Sequence, residues 1–222
     1  MMKHQNDRKC FPNLTIFVSF LIIFLSSLIG ISRAVSVEDE AAGIQKAYEN
    51  IKDISGTFTQ QSYIKDLKRT DAFKGDLFIK KPHKMKISYK GDNPTDIYVS
   101  NKSVLIFQKK EKQAFRSPFD SGTYGQTPIV LLSGLGKLRE EFTVSEKDGR
   151  LLLKPRKPMG AILSIEVETA EGAFPVKSLT IYDSASNKIT ITLKDVKVNV
   201  GLEDSFFVPA LPKGVTVMEH NP

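Results

Sequence analysis

The chain has 222 residues, a formal charge of +7 and one cysteine, Cys10. That length suffices for one domain with a substantial core, and a lone cysteine excludes an intrachain disulfide. The lysines are scattered with few aromatics between them, and the charge left once residues 1–34 are removed is a mild +4, which argues against a nucleic-acid reader. At the start of the chain, Lys3, Arg8 and Lys9 precede an apolar run from Leu14 to Ile31, and Ser32-Arg33-Ala34 follows it. This is the pattern of an export signal over residues 1–34, cleaved after Ala34. The other reading is an uncleaved anchor, since the run is just long enough to span a bilayer. Cys10 lies before the run and is not placed to become a lipid-modified N-terminus. Cleavage would remove it together with four basic residues and Asp7, leaving residues 35–222 as a single domain of charge +4.

The next element is a helix. Val37, Ala41, Ile44, Tyr48 and Ile51 recur at spacings of four and three and form one stripe. Ser36 with Asp39 suggests an N-cap, and Glu38, Asp39 and Glu40 suit the positive end of the helix dipole. The stripe is expected to lie against a sheet.

From Ile54 onward short alternating strands follow one another. The stretch Gly75 to Tyr89 predicts two strands broken at Lys81-Pro82, with Met85, Ile87 and Tyr89 on a greasy face and Lys84, Lys86 and Ser88 on a wetted one. Turns are marked at Gly91–Pro94, Asp148-Gly149, Glu171-Gly172 and Ser184–Asn187. Leu163, Ile165 and Val167 alternate with Ser164, Glu166 and Glu168; Ile189, Ile191 and Leu193 alternate with Thr190, Thr192 and Lys194. About ten strands without intervening helices predict a mainly β protein with one strongly curved antiparallel sheet.

One segment interrupts this rhythm. After Phe119 the chain carries Gly122 and Gly125, then Thr127-Pro128-Ile129-Val130-Leu131-Leu132, then Gly134, Leu135 and Gly136. Thr127 can cap a short apolar helix and Pro128 suits its first turn. Two readings stand: a buried connector between sheet halves, or a lid on glycine hinges that closes over an apolar cavity.

Catalytic chemistry is missing from this pattern. Beyond residue 34 the histidines are His83 and His220, and no metal-ligand spacing occurs. Ser133 lacks the first glycine of a nucleophile elbow, and no phosphate-binding glycine loop is present. Glu140 and Glu141 read as solvated. The chain reads as a binder that needs neither metal nor cofactor.

Four segments together resemble a known family. Ile54-Ser55-Gly56-Thr57-Phe58-Thr59-Gln60 is similar to the opening strand of the outer-membrane lipoprotein carriers, the LolA family. Gly75–Tyr89 resembles that family's Gly-Asp-Leu and Lys/Arg-Pro segment, and Thr127–Leu132 its lid helix. Phe206-Phe207-Val208-Pro209 and Pro212-Lys213-Gly214-Val215-Thr216-Val217 resemble its ending. The resemblance implies an open half-barrel closed by helices, with an apolar cavity for acyl chains. It also implies a periplasmic monomer that receives acylated lipoproteins from an inner-membrane ABC-type release complex and delivers them to the outer membrane, where an acceptor could take them.

By alternation, Phe73, Leu77, Ile79, Met85, Ile87, Tyr89, Leu163, Ile165, Ile191 and Leu193 are expected on the cavity side, with Ile129, Leu132 and Leu135 from the lid and Gly122, Gly125, Gly134 and Gly136 as its hinges. For each cavity residue plain core packing is the alternative. Lys81 and Pro82 are expected at the rim. Some family members carry arginine before this proline, tying the lid to the sheet; lysine lacks that bidentate fork. A simply solvated Lys81 is therefore the competing expectation, and Lys81→Glu is expected to disturb release more than folding. A glycolipid carrier and a lipoprotein-sensing regulator are alternatives on the same fold.

Overall fold

The computed structural model describes residues 36–100, 103–119, 132 and 137–219; the expected export signal lies outside them. The first element is helix α1 (Val37–Glu49), capped by Ser36, whose Oγ accepts from the Asp39 N–H at 3.1 Å. Ala41, Ile44 and Tyr48 are buried along its stripe, Ile51 follows them into the core, and Val37 packs partly against it.

Twelve strands then form one sheet: β1 (Asp53–Ile64), β2 (Arg69–Lys80), β3 (Lys84–Lys90), β4 (Thr95–Val99), β5 (Ser103–Gln108), β6 (Gln113–Pro118), β7 (Phe142–Lys147), β8 (Arg150–Pro155), β9 (Ile162–Thr169), β10 (Val176–Asp183), β11 (Lys188–Val198) and β12 (Thr216–Glu219). Their order is β12-β6-β5-β4-β3-β2-β1-β11-β10-β9-β8-β7. Two meanders, β1 to β6 and β7 to β11, therefore meet along the β1–β11 pair, and β7 and β12 remain as edges. All pairs are antiparallel except β12–β6, which is parallel. A short helix α2 (Leu138–Glu141) precedes β7.

Local chemistry sets the turns and the curvature. Asp148 and Gly149 both have positive φ, 52° and 72°, as a two-residue hairpin between β7 and β8 requires. At the central seam Ser55 pairs with Lys197 but Thr57 pairs with Lys194, so β11 holds an extra residue, and Asp195 there has φ 51°. Such a bulge bends the strand and increases twist.

The two faces differ from the expected greasy and wetted sides. The inner face carries one core, in which α1 residues join Ile54, Phe58, Leu77, Ile87, Ile165, Leu179 and Ile191. The outer face is not simply wetted. Tyr98, Leu105, Phe107 and Ala114 form a second buried cluster, against which Leu211 and Val215 pack. The chain beyond β11 runs over this face as a strap before adding β12 to the edge. Its 3-10 turn Asp204–Phe207 is fastened by Asp204, which pairs with Lys80 and Lys84 at 2.8 Å each. Hydrogen bonds from those two lysines hold the Asp204 carboxyl down at about 2. Phe206 meets Phe78 edge to face at 4.7 Å, and Lys86 lies 4.4 Å above the Phe206 ring. Lys80, Lys84 and Lys86 on the outer side of β2 and β3 thus serve as strap anchors rather than as free solubilising charge.

Gly75 allows an aromatic bridge across three strands. It pairs with Phe58 on one side and Tyr89 on the other. Strands β1 and β3 stand two spacings apart, roughly 9.6 Å, yet the Phe58 and Tyr89 rings meet edge to face at 5.2 Å across the bare glycine. A Cβ on Gly75 would sit 2.3 Å from the Ser88 carbonyl oxygen and 2.8 Å from the Phe58 ring. Gly43, in the middle of α1, has open space around its Cβ position. Gly75→Ala is expected to lower stability by about 1–3 kcal/mol through overpacking, whereas Gly43→Ala is expected to raise it by about 0.5–1 kcal/mol through helix propensity. Urea unfolding of both variants beside the parent chain checks the opposite signs.

Candidate functional site

The inner wall is packed shut over most of its area and open at one end. Of the ten residues expected on the cavity side, Leu77, Ile79, Met85, Ile87, Ile165, Ile191 and Leu193 are buried in the core together with α1, and Leu132 is buried there too. Tyr89 is partly buried against the same core, and Phe73 remains 43% exposed. Ile129, Leu135, Gly122, Gly125, Gly134 and Gly136 lie outside the described residues.

Leu163 departs from the alternation and is 58% exposed, while Ile162 is buried in its stead. The cause is a register shift: Tyr182 pairs with Ser164 but Asp183 pairs with Ile162, leaving Leu163 as the extra residue of a bulge. A single inserted position returns Ile162 to the inner face and turns Leu163 away, which strict alternation does not foresee.

Where the packing ends, a cleft of about 630 Å³ opens, lined by Gln60, Ala72, Phe73, Lys74, Tyr89 and Lys90 among others. That lies within the usual range of roughly 300–1,000 Å³ for ligand pockets. Residues of both sheet faces line it, with Thr59, Gln61 and Gly91–Asn93 completing the notch where β3 ends. Two of its lining rings touch, Phe73 meeting Tyr89 at 6.0 Å edge to face, and behind them Tyr89 meets Phe58 at 5.2 Å. A polar chain starts from the same tyrosine. The Tyr89 hydroxyl donates to Gln60 Oε1 at 2.9 Å, and Gln60 Nε2 donates to Ser62 Oγ at 3.0 Å. Burial pushes the Tyr89 phenol up to about 12, so it remains a donor at neutral pH. Gln60 and Ser62 did not stand out in the sequence, because two polar residues on an inner face look like an interruption. The available signal is their alternation along β1 with Phe58, which puts Gln60 and Ser62 on the same face.

The opposite end of the wall is closed by α1 and the rim. Lys81-Pro82 is a cis peptide bond between β2 and β3. Lys81 is not simply solvated: Nζ donates to the Tyr48 carbonyl and, at 3.2 Å, to that of Glu49, and it lies 4.6 Å over the Tyr48 ring. Its ammonium therefore sits at the negative end of the α1 dipole. Desolvation lowers the Lys81 pKa, with Glu49 opposing. The other end of α1 is held where Thr169 Oγ1 donates to Glu40 Oε1 at 2.7 Å. The space beside Pro82 is only about 20 Å³, room for about one water, so the rim is a joint rather than a second ligand pocket. Among the described residues no group of three or more His, Cys, Asp and Glu is placed to hold a metal ion.

Comparison with known proteins agrees with this geometry. Residues 49–210 match the family model described as outer membrane lipoprotein carrier protein LolA. The outer-membrane lipoprotein carrier protein of Alkalilimnicola ehrlichii is 26% identical over 183 residues, covering 80% of this chain and 83% of that protein. The Pseudomonas putida protein of the same name is 24% identical over 204 residues, covering 89% and 97%. Among solved structures, an uncharacterized conserved protein from Thermus thermophilus shares the fold with a TM-score of 0.52 at 10% identity, covering 82% of this chain and 98% of that one.

The contacts of Lys81 alter what its substitution should do. Lys81→Glu removes two hydrogen bonds to the last carbonyls of α1 and places a carboxylate beside them and Glu49. The expected outcome is a stability loss of about 1–3 kcal/mol in urea unfolding, so folding is affected as well as any later step. Lys81→Arg keeps a donor at the same carbonyls and should stay within about 1 kcal/mol of the parent.

Proposed function

We propose that this chain, which belongs to the outer membrane lipoprotein carrier protein (LolA) family, carries acylated lipoproteins through the periplasm by burying their acyl chains against the inner wall of its open sheet. The observation that carries the proposal is the wall itself: a large apolar cluster on one face of the sheet, shared with α1, and beside it a cleft of about 630 Å³ that Phe73 and Tyr89 line. The release of cargo from an inner-membrane ABC-type complex and its delivery to an outer-membrane acceptor are the steps that such a carrier would link. Residues 1–34 would serve as the cleavable export signal and residues 35–222 as the carrier domain.

The energetics suit a carrier that performs no chemistry. Each acyl methylene moved from water is worth roughly 0.8 kcal/mol, so one sixteen-carbon chain approaches ~12 kcal/mol. The wall residues Leu77, Ile79, Met85, Ile87, Ile165, Ile191 and Leu193 are already buried in one cluster with the stripe of α1. Acyl chains entering at Phe73 would replace helix–wall contacts with chain–wall contacts. Apolar surface is then exchanged rather than newly exposed, which keeps the empty and loaded states within reach of each other and open to bias by partners. The Tyr89–Gln60–Ser62 chain would face the polar groups at the acyl ester ends, while Phe73 covers the methylenes nearest the mouth.

The test uses a synthetic triacylated lipopeptide and its unacylated counterpart. The parent chain should bind the former and not the latter, and Phe73→Glu should weaken binding at least tenfold by putting a charge where a methylene packs. Mass spectrometry of material co-purified from the exported compartment should find intact acylated proteins. Failure to bind the lipopeptide, or co-purification of glycolipid alone, would reject the reading.

A further inference from the structure

The hairpin of β1 and β2 is longer than its surroundings need. Its two strands pair without interruption from Asp53 opposite Lys80 to Ile64 opposite Arg69. Strand β3 accompanies β2 only as far as Lys74, so among the described residues Arg69 to Phe73 run on for about 16 Å with no strand paired on that side. At the tip Leu67 is 60% exposed, and Tyr63 just before it is 39% exposed. An isolated exposed leucine needs no explanation. This one is set among Lys65, Lys68 and Arg69 with Asp66 as the sole carboxylate of the turn, and Arg69 is engaged by Asp71 at 2.8 Å.

Neighbouring turns are fastened to the same end. The Lys65 N–H donates to Asn187 Oδ1 at 3.0 Å, and the Ser184 N–H donates to the Ala161 carbonyl at 2.9 Å. These bonds bring the β1–β2, β10–β11 and β8–β9 connections together, adding Lys188, which pairs with Tyr63, and the bulged-out Leu163. The cleft lies on this half of β2, along Ala72, Phe73 and Lys74, at the opposite end of the strand from the Lys81 rim.

We infer that the β1–β2 tip, Leu67 with its flanking Lys65 and Lys68, is a membrane-docking element that sets the cleft mouth against an anionic lipid surface; the inference rests on the carrier reading above. A leucine and a tyrosine projecting among lysines have the composition of an interfacial anchor, in which apolar side chains enter the headgroup boundary and ammonium groups meet lipid phosphates. The sign of the charge is complementary to anionic headgroups and supplies the second of the two signals that reversible membrane binding requires. The geometry also serves transfer. With the tip seated on a bilayer, an acyl chain leaving at Phe73 enters lipid without first crossing open water.

Sedimentation with vesicles tests the inference on the chain purified from the exported compartment. The parent should sediment with phosphatidylethanolamine–phosphatidylglycerol vesicles. Leu67→Glu and, separately, the double variant Lys65→Glu/Lys68→Glu should each weaken that binding at least tenfold. Both variants lie on an exposed turn, should keep the parent's circular dichroism, and should bind the triacylated lipopeptide in solution as the parent does. A parent that does not sediment with these vesicles, or variants that sediment as well as the parent, would overturn the docking element while leaving lipopeptide binding intact. Loss of lipopeptide binding by the parent would instead reject the carrier reading.

Discussion

An open sheet with an apolar concave face must have that face covered, and the rest of this structure follows from how the requirement is met. A closed barrel of strands would cover its interior with itself, and a sandwich would use a second sheet. Here the edges β7 and β12 do not meet, and among the described residues α1, with Leu132 and Leu138, packs over that face. A helix is a detachable cover in a way that a second hydrogen-bonded sheet is not, because no backbone ladder joins it to the wall. Its attachment is apolar packing plus two polar fastenings, Thr169 to Glu40 and Lys81 to the Tyr48 and Glu49 carbonyls.

The opposite face shows the complementary solution. There the cover is the strap that follows β11, and it is fastened by Asp204 between two lysines, by Phe206 on Phe78, and finally by the β12 ladder on β6. A cover ending in backbone hydrogen bonds is a permanent one. The outer cover therefore ends in a backbone ladder, whereas the inner one is joined by apolar packing and side-chain hydrogen bonds alone. In the proposed carrier the inner face would be the exchangeable one.

Much of this was legible in the residues. The α1 stripe, the strand series, the turn positions and the break at Lys81-Pro82 all express periodicities that local chemistry enforces. What stayed hidden depends on contacts between distant segments. The outer cluster of Tyr98, Leu105, Phe107 and Ala114 is invisible to alternation until Leu211 and Val215 are laid on it. Leu163 was misplaced because one inserted residue inverts the pattern that placed it. Lys81 could be seen as a cation at a rim, but its partners are helix carbonyls some 30 residues earlier in the chain. Gly75 reads as an ordinary strand glycine until its two flanking strands are known to carry Phe58 and Tyr89.

The placement of the fastenings also fixes which end of the wall can open. Strands β2 and β9 run in the same direction, since three antiparallel steps through β1, β11 and β10 separate β2 from β10 and a fourth reaches β9. Thr169 ends β9 and Lys81 directly follows β2, so both fastenings of α1 lie at the same strand ends of the sheet. The opposite strand ends carry the cleft, the exposed Phe73 and the long β1–β2 hairpin. An acyl chain entering there meets packing contacts first and polar fastenings last. In the proposed carrier each methylene that advances would gain wall contact as α1 gave it up, so uptake could proceed in small steps while the helix stayed tethered at its far end. Release would reverse the same path through the same mouth, which would make the residues around Phe73 and Tyr89, rather than those beneath α1, the ones that discriminate between cargoes.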